Sequence, residues 1–477
     1  MIPYARVSSG ISGLDKILNY LQMGDNVVWQ VDHIEDYKKF VDPYVEQALA
    51  DRQRLVYMRF ANHPALLEAR PGIKICQLNA NSGFESFSTE VHNIIRDEGR
   101  DVFYIFDCLS DLLQAWATDL MIGNFFVITC PYLFELNTVA YFAILRSRHS
   151  FKTVARIRET TQVLLDICNR EGRLCVHPLK AWKRYTPTMF LPHIMEDQAC
   201  VPILNSADAA SFLSCLTDRN ATGPERNLDY WDRIFLKAGN LLENPDAAPE
   251  KQDMVEILSR VMIGREQRIL SLVREYFDLE DLVEIKKRLI GTGFIGGKSV
   301  GMLLARNILR KDPSFDWNAV LEIHDSFYVG SDIFYSYMVQ NGWWKLLMAQ
   351  KTDEGYFDVA RELKNKMLHG VFPDEIKEQF QLMLEYFGQA PIIVRSSSLL
   401  EDAFGNAFAG KYESYFCVNQ GTPEERYRHF EEAVRKIFAS TMNEDALTYR
   451  LQRGMAQQDE QMALLVQRVS GSHSDRY

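Results

Sequence analysis

Residues Ala390–Phe416 read APIIVRSSSLLEDAFGNAFAGKYESYF. A short apolar run, Ile392–Val394, leads into Arg395, the serines Ser396, Ser397 and Ser398, and the acidic pair Glu401–Asp402. A glycine-bearing return follows. A buried strand that ends on so many polar groups either ties them together in a turn or presents them to a ligand. On local grounds two readings of Arg395 stand. It can form an ion pair with Glu401, an arrangement that often contributes little, or its planar fork can grip phosphate oxygens. Glu401 and Asp402 can likewise pair with Arg395 or Lys411, or cap a turn.

About a hundred residues upstream lies GTGFIGGKSVGMLLARNIL, Gly291–Leu309. Gly291, Gly293 and Gly296 fit G-x-G-x-x-G, but a dinucleotide fingerprint needs a strand just before it, and LEDLVEIKKRLI is charged and helical. Gly297-Lys298-Ser299 mimics the end of a phosphate loop, yet that loop's first glycine falls on Thr292. What remains is a flexible loop and an amphipathic helix, Ser299–Leu309, with Lys298 at its mouth. A helix N-terminus favours anions, so a lysine there is unfavourable for the helix alone and useful if a phosphate binds. With Lys298 and the glycines alongside, phosphate contact becomes the better account of Arg395.

These residues resemble the ATP-binding domain of the phosphoenolpyruvate synthase / pyruvate phosphate dikinase family, a variant of the ATP-grasp fold. The family's G-G-K is matched by Gly296-Gly297-Lys298, and its V-R-S-S-x-x-x-E-D by Val394-Arg395-Ser396-Ser397 with Glu401 and Asp402. Its F-A-G-x-x-(E/D)-(T/S)-(Y/F) is matched by Phe408, Ala409, Gly410, Glu413, Ser414 and Tyr415. Ala439-Ser440, Tyr449-Arg450 and the strand Val466–Val469 follow in the family's order. The resemblance implies that Lys298 and Arg395 act on ATP phosphates as catalytic residues, with Ser396 and Lys411 beside them. Gly410 and Ser414 then belong to a lid loop, Phe408–Ser414, and Gln467, Arg468 and Val469 to a hinge strand whose backbone meets adenine. It also implies Mg²⁺, whose carboxylate ligands the family places after the hinge, and a carrier histidine that takes the phosphate. The sequence ends at Tyr477, and His473 in GSHSDRY lacks the carrier context. The expectation is therefore that metal ligands and carrier lie in missing sequence or in another chain.

The first two hundred residues alternate apolar runs with helical patterns. Asn26–Val31, Arg54–Phe60, Ile73–Leu78, Val102–Asp107 and Asn124–Thr129 read as buried strands, and Tyr37, Phe40, Val41, Tyr44, Val45 and Ala48 recur at helical spacing. That rhythm predicts a largely parallel sheet covered by helices, with GRLCVHPLKAW and TPTMFLPHIM as edge strands. The opening SSGISGLDKIL, Ser8–Leu18, resembles the start of a RecA/KaiC-type ATPase domain. A working phosphate loop would be G-x-x-x-x-G-K-(S/T), whereas Asp32–Phe40 read DHIEDYKKF. Asp32, Glu35 and Asp36 stand where phosphates would go, and like charges ~4 Å apart repel by about 4 kcal/mol at an effective dielectric near 20. Asp107 sits where a Walker-B acid would, or caps a turn. This module is expected to dock a protein partner or to regulate, without binding ATP in the P-loop manner.

The expected architecture is α/β and multidomain: a RecA-like parallel sheet with helices over 1–205, a helical linker region over 206–287, and a partial ATP-grasp (α+β) domain over 288–477. The function expected is the ATP-binding portion of a phosphotransferase. The alternative is a non-catalytic nucleotide sensor or scaffold. A net charge of −11 gives no basic excess for a nucleic-acid backbone, and no apolar run reaches bilayer length. Eight cysteines without a C-x-x-C pair, and no apolar stretch at the start, point to reduced thiols in a cytoplasmic protein.

Overall fold

The computed structural model describes residues 5–170, 172–217, 228–244, 246–322, 324–401 and 410–471. Asp402, Phe408, Ala409 and His473, named above, lie outside the described residues. The chain divides into two compact units, Met1–Asp232 and Arg233–Tyr477. Both are mixed α/β.

In the first unit β1 (Arg6–Val7) pairs with β2 (Leu21–Gln22). The main sheet is built from β3 (Asn26–Val31), β4 (Arg54–Arg59), β5 (Ile73–Gln77), β6 (Val102–Cys108), β7 (Val139–Leu145), β8 (Val163–Arg170), β9 (Arg173–Ala181), β10 (His193–Glu196) and β11 (Ala199–Pro202). Its order is β11-β10-β9-β8-β3-β7-β6-β4-β5. The run from β8 to β5 is parallel and the run from β8 through β11 antiparallel. The helix Ile34–Ala50 lays its aromatic stripe on this sheet, Phe40 stacked on Trp29 at 4.3 Å and Tyr44 on Tyr141 at 4.0 Å.

Asn124–Thr129, expected as a strand, is helical: it lies inside Asp119–Glu135, whose start is capped by Thr118 Oγ1 accepting from Leu120 N at 3.2 Å. This helix is apolar on nearly every face, so it lacks the amphipathic period that would set it apart from a buried strand. The strand in that part of the sheet is β7. Cys168 corrects a second expectation, since it is disulfide-bonded, whereas Cys76, Cys108, Cys130, Cys175, Cys200 and Cys417 are free. Without a short-range motif, a bridged cysteine reads in the sequence like a free one.

At the C-terminal end of β3 only Asp32 and His33 separate the strand from the helix beginning at Ile34. That is too short to wrap a phosphate, whatever its charge. Two of the three acids there, Asp32 and Asp36, are also committed within the fold. Arg146 bridges Asp32 at 2.9 Å and Asp166 at 2.6 Å, and Asp36 takes Lys39 at 3.0 Å and Asn169 at 2.7 Å. Asp107 is fully buried and structural: its carboxylate accepts from Tyr57, from Arg59 at 2.6 Å, and from the amides of Phe60 and Ala61 at 2.8 and 2.9 Å.

Helices fill much of 206–287, and the boundary between the units falls within the one at Tyr230–Leu242. The amphipathic stretch Met254–Phe277 is broken at 263–266 between the helices Ala248–Met262 and Gln267–Tyr276. The second unit's sheet contains β12 (Leu289–Ile290), β13 (Ser326–Val329), β14 (Ile392–Ser398), β15 (Ser414–Cys417) and β16 (Met462–Arg468), in the order β12-β13-β16-β14-β15. All pairs are antiparallel except β12 with β13. The helix Pro423–Ser440 covers one face, with Lys436 over the Tyr415 ring at 5.3 Å. The helix Gly297–Lys311 crosses the other face. It touches β14 through Ser299 and β16 through Met302, whose Sδ lies 3.3 Å from Gln467 Nε2. Residues of β14 and β15 on this second face are left partly open.

Candidate functional site

The glycine loop docks directly on the end of β14. A Cβ on Gly296, which has φ 80°, would lie 1.3 Å from the Ser397 carbonyl oxygen, and one on Gly297 would lie 1.9 Å from that of Glu401. Only glycine permits this approach. Ser397 Oγ then accepts from Ser299 N at 3.1 Å and donates to Ile295 O at 2.9 Å, fixing the helix mouth against the strand end.

Lys298 projects from that mouth. Its ammonium pairs with the buried Glu401 carboxylate and donates to Ser396 Oγ at 3.1 Å, while Ser396 Oγ donates to Glu401 at 3.2 Å. Glu401 therefore takes Lys298 as its partner rather than Arg395 or Lys411. The Arg395 guanidinium, half-buried, makes no ion pair or hydrogen bond among the described residues. Among the described residues, then, Arg395 and Glu401 do not form the ion pair that the sequence allowed.

Register decides which residues share the open face. Arg395 stands opposite Ser414 on one side and Leu465 on the other, and Ile393 opposite Phe416 and Gln467. Arg395, Ser414 and Gln467 accordingly lie on the face that the Lys298 helix crosses, and Gln467 Nε2 also donates to Ser326 Oγ at 3.3 Å. Other sequence candidates sit elsewhere. Arg468 alternates to the opposite side and pairs with Asp325 at 2.9 Å. Lys411 lies 6.0 Å over the Tyr449 ring. Gly410, at φ 71°, opens onto free space. Val469 donates its N–H to Pro391 O at 2.9 Å, which prolongs the hinge side of the sheet.

Two buried acids behind this face carried no signal in the sequence. Glu460 holds Arg450 at 2.7 Å and Tyr412 Oη at 3.0 Å, and its carbonyl accepts from Ser398 Oγ at 2.8 Å. Asp332 accepts from Thr292 Oγ1 at 2.9 Å beside Gly293, so it holds the first half of the glycine loop. Burial, opposed by the Thr292 hydrogen bond and Arg265, pushes the Asp332 carboxyl up to about 7. The folded chain thus retains a proton that an unfolded aspartate releases near ~4. The stability this contributes is full below about pH 4 and is lost as pH rises through 7. Urea unfolding of Asp332→Asn between pH 5 and 8 should therefore show a flatter stability profile than the parent. An identical slope would mean that Asp332 does not hold that proton.

Among the described residues no group of three or more His, Cys, Asp or Glu side chains is placed to hold a metal ion. The Mg²⁺ implied by the resemblance finds no ligand set there, and no step below is routed through it. Among the same residues no helix is long and apolar enough to cross a membrane.

With this geometry in place, comparison with known proteins gives a class. Residues 292–474 match the pyruvate phosphate dikinase AMP/ATP-binding domain. That range holds the glycine loop, Lys298, Arg395 and the strand Met462–Arg468 together, so this part of the chain is similar to the AMP/ATP-binding domain of a dikinase. Two relatives make the likeness more particular. Phosphoenolpyruvate synthase of Neisseria meningitidis serogroup B is 30% identical over 122 residues, covering 24% of this chain and 15% of that protein. Rifampicin phosphotransferase of a Streptomyces species is 33% identical over 124 residues, covering 25% and 14%. The matched stretch is about a seventh of either relative's length.

Proposed function

We propose that the second unit binds ATP on the open face of its sheet, as the nucleotide-gripping part of a phosphotransferase that passes phosphate to a carrier histidine and then to an acceptor. The observation that carries this is Arg395, a half-buried guanidinium without a partner among the described residues, on one face with Ser414 and next to the mouth of the Lys298 helix. Its fork can hold two phosphate oxygens at once, through charge-assisted bonds. Lys298 adds a point charge at a helix N-terminus, where backbone N–H groups already favour anions. To do so it exchanges Glu401 for phosphate. The Ser414 hydroxyl donates to a phosphate oxygen, and Gly410 and Lys411 lead into the lid. The strand end Gln467–Val469 supplies backbone groups to the base; Arg468 contributes backbone alone, its side chain being held by Asp325. We read this sheet and its helices as the partial ATP-grasp domain. The first unit is read as a RecA-like scaffold for a protein partner. The parallel run β8-β3-β7-β6-β4-β5 of its mixed sheet, and the two-residue connection after β3, support that role.

A second reading, a nucleotide sensor without phosphotransfer, draws on the Lys298–Glu401 pair, which occupies the phosphate position with a resident carboxylate. Calorimetric titration with ATP tests both. The chain should give saturable binding that Lys298→Ala weakens about tenfold, the loss of roughly one charge-assisted bond. Labelled ATP should then leave acid-labile phosphohistidine on the whole natural protein or its carrier. Binding without label selects the sensor, and absence of binding overturns both readings.

A further inference from the structure

The open face has a wall that phosphate contacts leave unused. Phe416 on the edge strand β15 is 73% exposed, and Val418 just beyond it 67%. The exposure follows from the pleat. Tyr415 turns toward the helix Pro423–Ser440, with Lys436 over its ring, and Cys417 is buried, so Phe416 falls on the side of Arg395. Edge strands in water usually carry charge or proline at such positions; this one carries a phenylalanine and a valine.

Phe416, Ile393 and Gln467 form one cross-strand row, and Ser414, Arg395 and Leu465 form the next. The rows are two residues apart along the strand, about 7 Å at the usual rise. That separation suits a nucleotide whose phosphates lie at Arg395 and whose ribose spans to a planar base at Ile393. The far end of the ring row is polar, where Gln467 Nε2 meets Met302 Sδ and Ser326 Oγ, both at 3.3 Å. An apolar floor, one exposed aromatic wall and one amide are the groups that hold a flat heterocycle.

Resting on the ATP reading above, we propose that Phe416 is the stacking wall for the nucleobase, with Ile393 as its floor. Stacking is tolerant of base identity because every base has a π-face. A purine buries more area against the wall than a pyrimidine does, so the wall favours the larger ring system without reading its edge groups, and finer choice falls to Gln467.

The test compares ATP with inorganic tripolyphosphate, which has the phosphates and no base, on the whole chain. Phe416→Ala should weaken ATP about tenfold, within the range of one base stacked on one aromatic, and leave tripolyphosphate unchanged. Phe416→Trp should keep or improve ATP binding. Because Phe416 is mostly in water, neither variant should shift thermal unfolding, and Phe416→Leu gives an intermediate check on shape. Unchanged ATP affinity in Phe416→Ala, or an equal loss for both ligands, overturns the stacking role. A parent chain that binds neither ligand removes the ATP reading itself, and one that binds tripolyphosphate as tightly as ATP removes the wall while sparing the phosphate site.

Discussion

Replacing Arg395 with alanine should reduce ATP affinity about thirtyfold while leaving the fold as stable as before. The two halves of this expectation come from one fact: the guanidinium has no protein acceptor among the described residues. Removing it breaks no native bond, so unfolding free energy should move by no more than about 0.5 kcal/mol. In the complex, the fork loses a bidentate contact of about 2 kcal/mol, which is the thirtyfold. A structural arginine would behave the opposite way, costing stability first. Isothermal titration paired with urea unfolding separates the cases. A variant that unfolds early yet binds ATP normally would remove Arg395 from the site.

Gly296→Ala should cost on the order of 4 kcal/mol of stability. A non-glycine residue at φ 80° carries a penalty of about 1–2 kcal/mol. The new methyl would also lie 1.3 Å from the Ser397 carbonyl oxygen, so loop and strand must part. Parting them strains the Ser299–Ser397 and Ser397–Ile295 hydrogen bonds, worth about 1 kcal/mol each. Gly301, inside the helix that Gly296 caps, is the control. A Cβ there meets nothing within 4 Å, and Gly301→Ala should stabilise by about 0.5–1 kcal/mol through helix propensity. Comparable effects at both glycines would mean that the close approach at Gly296 is absent in solution.

Much of the second unit's site was legible because its constraints are local. The apolar run Ile392–Val394 pointed to β14, the family resemblance to the strand at Val466–Val469, and the glycines with the periodic stretch after them to the helix that begins at Gly297. Partner choice was less legible. Glu401 was read as pairing with Arg395 or Lys411, or as capping a turn, and it is the fold, by seating Gly297 against the Glu401 carbonyl, that brings Lys298 within reach instead. Asp332 and Glu460 were invisible for the same reason: neither stands in a motif, and each becomes a buried anchor only through partners that the fold brings to it, Thr292 for Asp332 and Tyr412 and Arg450 for Glu460. In the first unit, Asp119–Glu135 was misread at its middle because a helix apolar on nearly every face shows no helical period. Asp32 was read as a charge opposing a phosphate, and Arg146, from the far end of β7, gives it a different occupation.

The two cations of the candidate cleft are not equivalent. Lys298 already owns a counter-ion in Glu401, so at long range its charge is largely cancelled. Arg395 keeps its field uncompensated among the described residues. An approaching polyanion is therefore drawn by Arg395 and captured by Lys298 only once it is close enough to evict the carboxylate. Recruitment and capture fall to different residues, and loss of Arg395 should slow arrival, while loss of Lys298 should hasten departure.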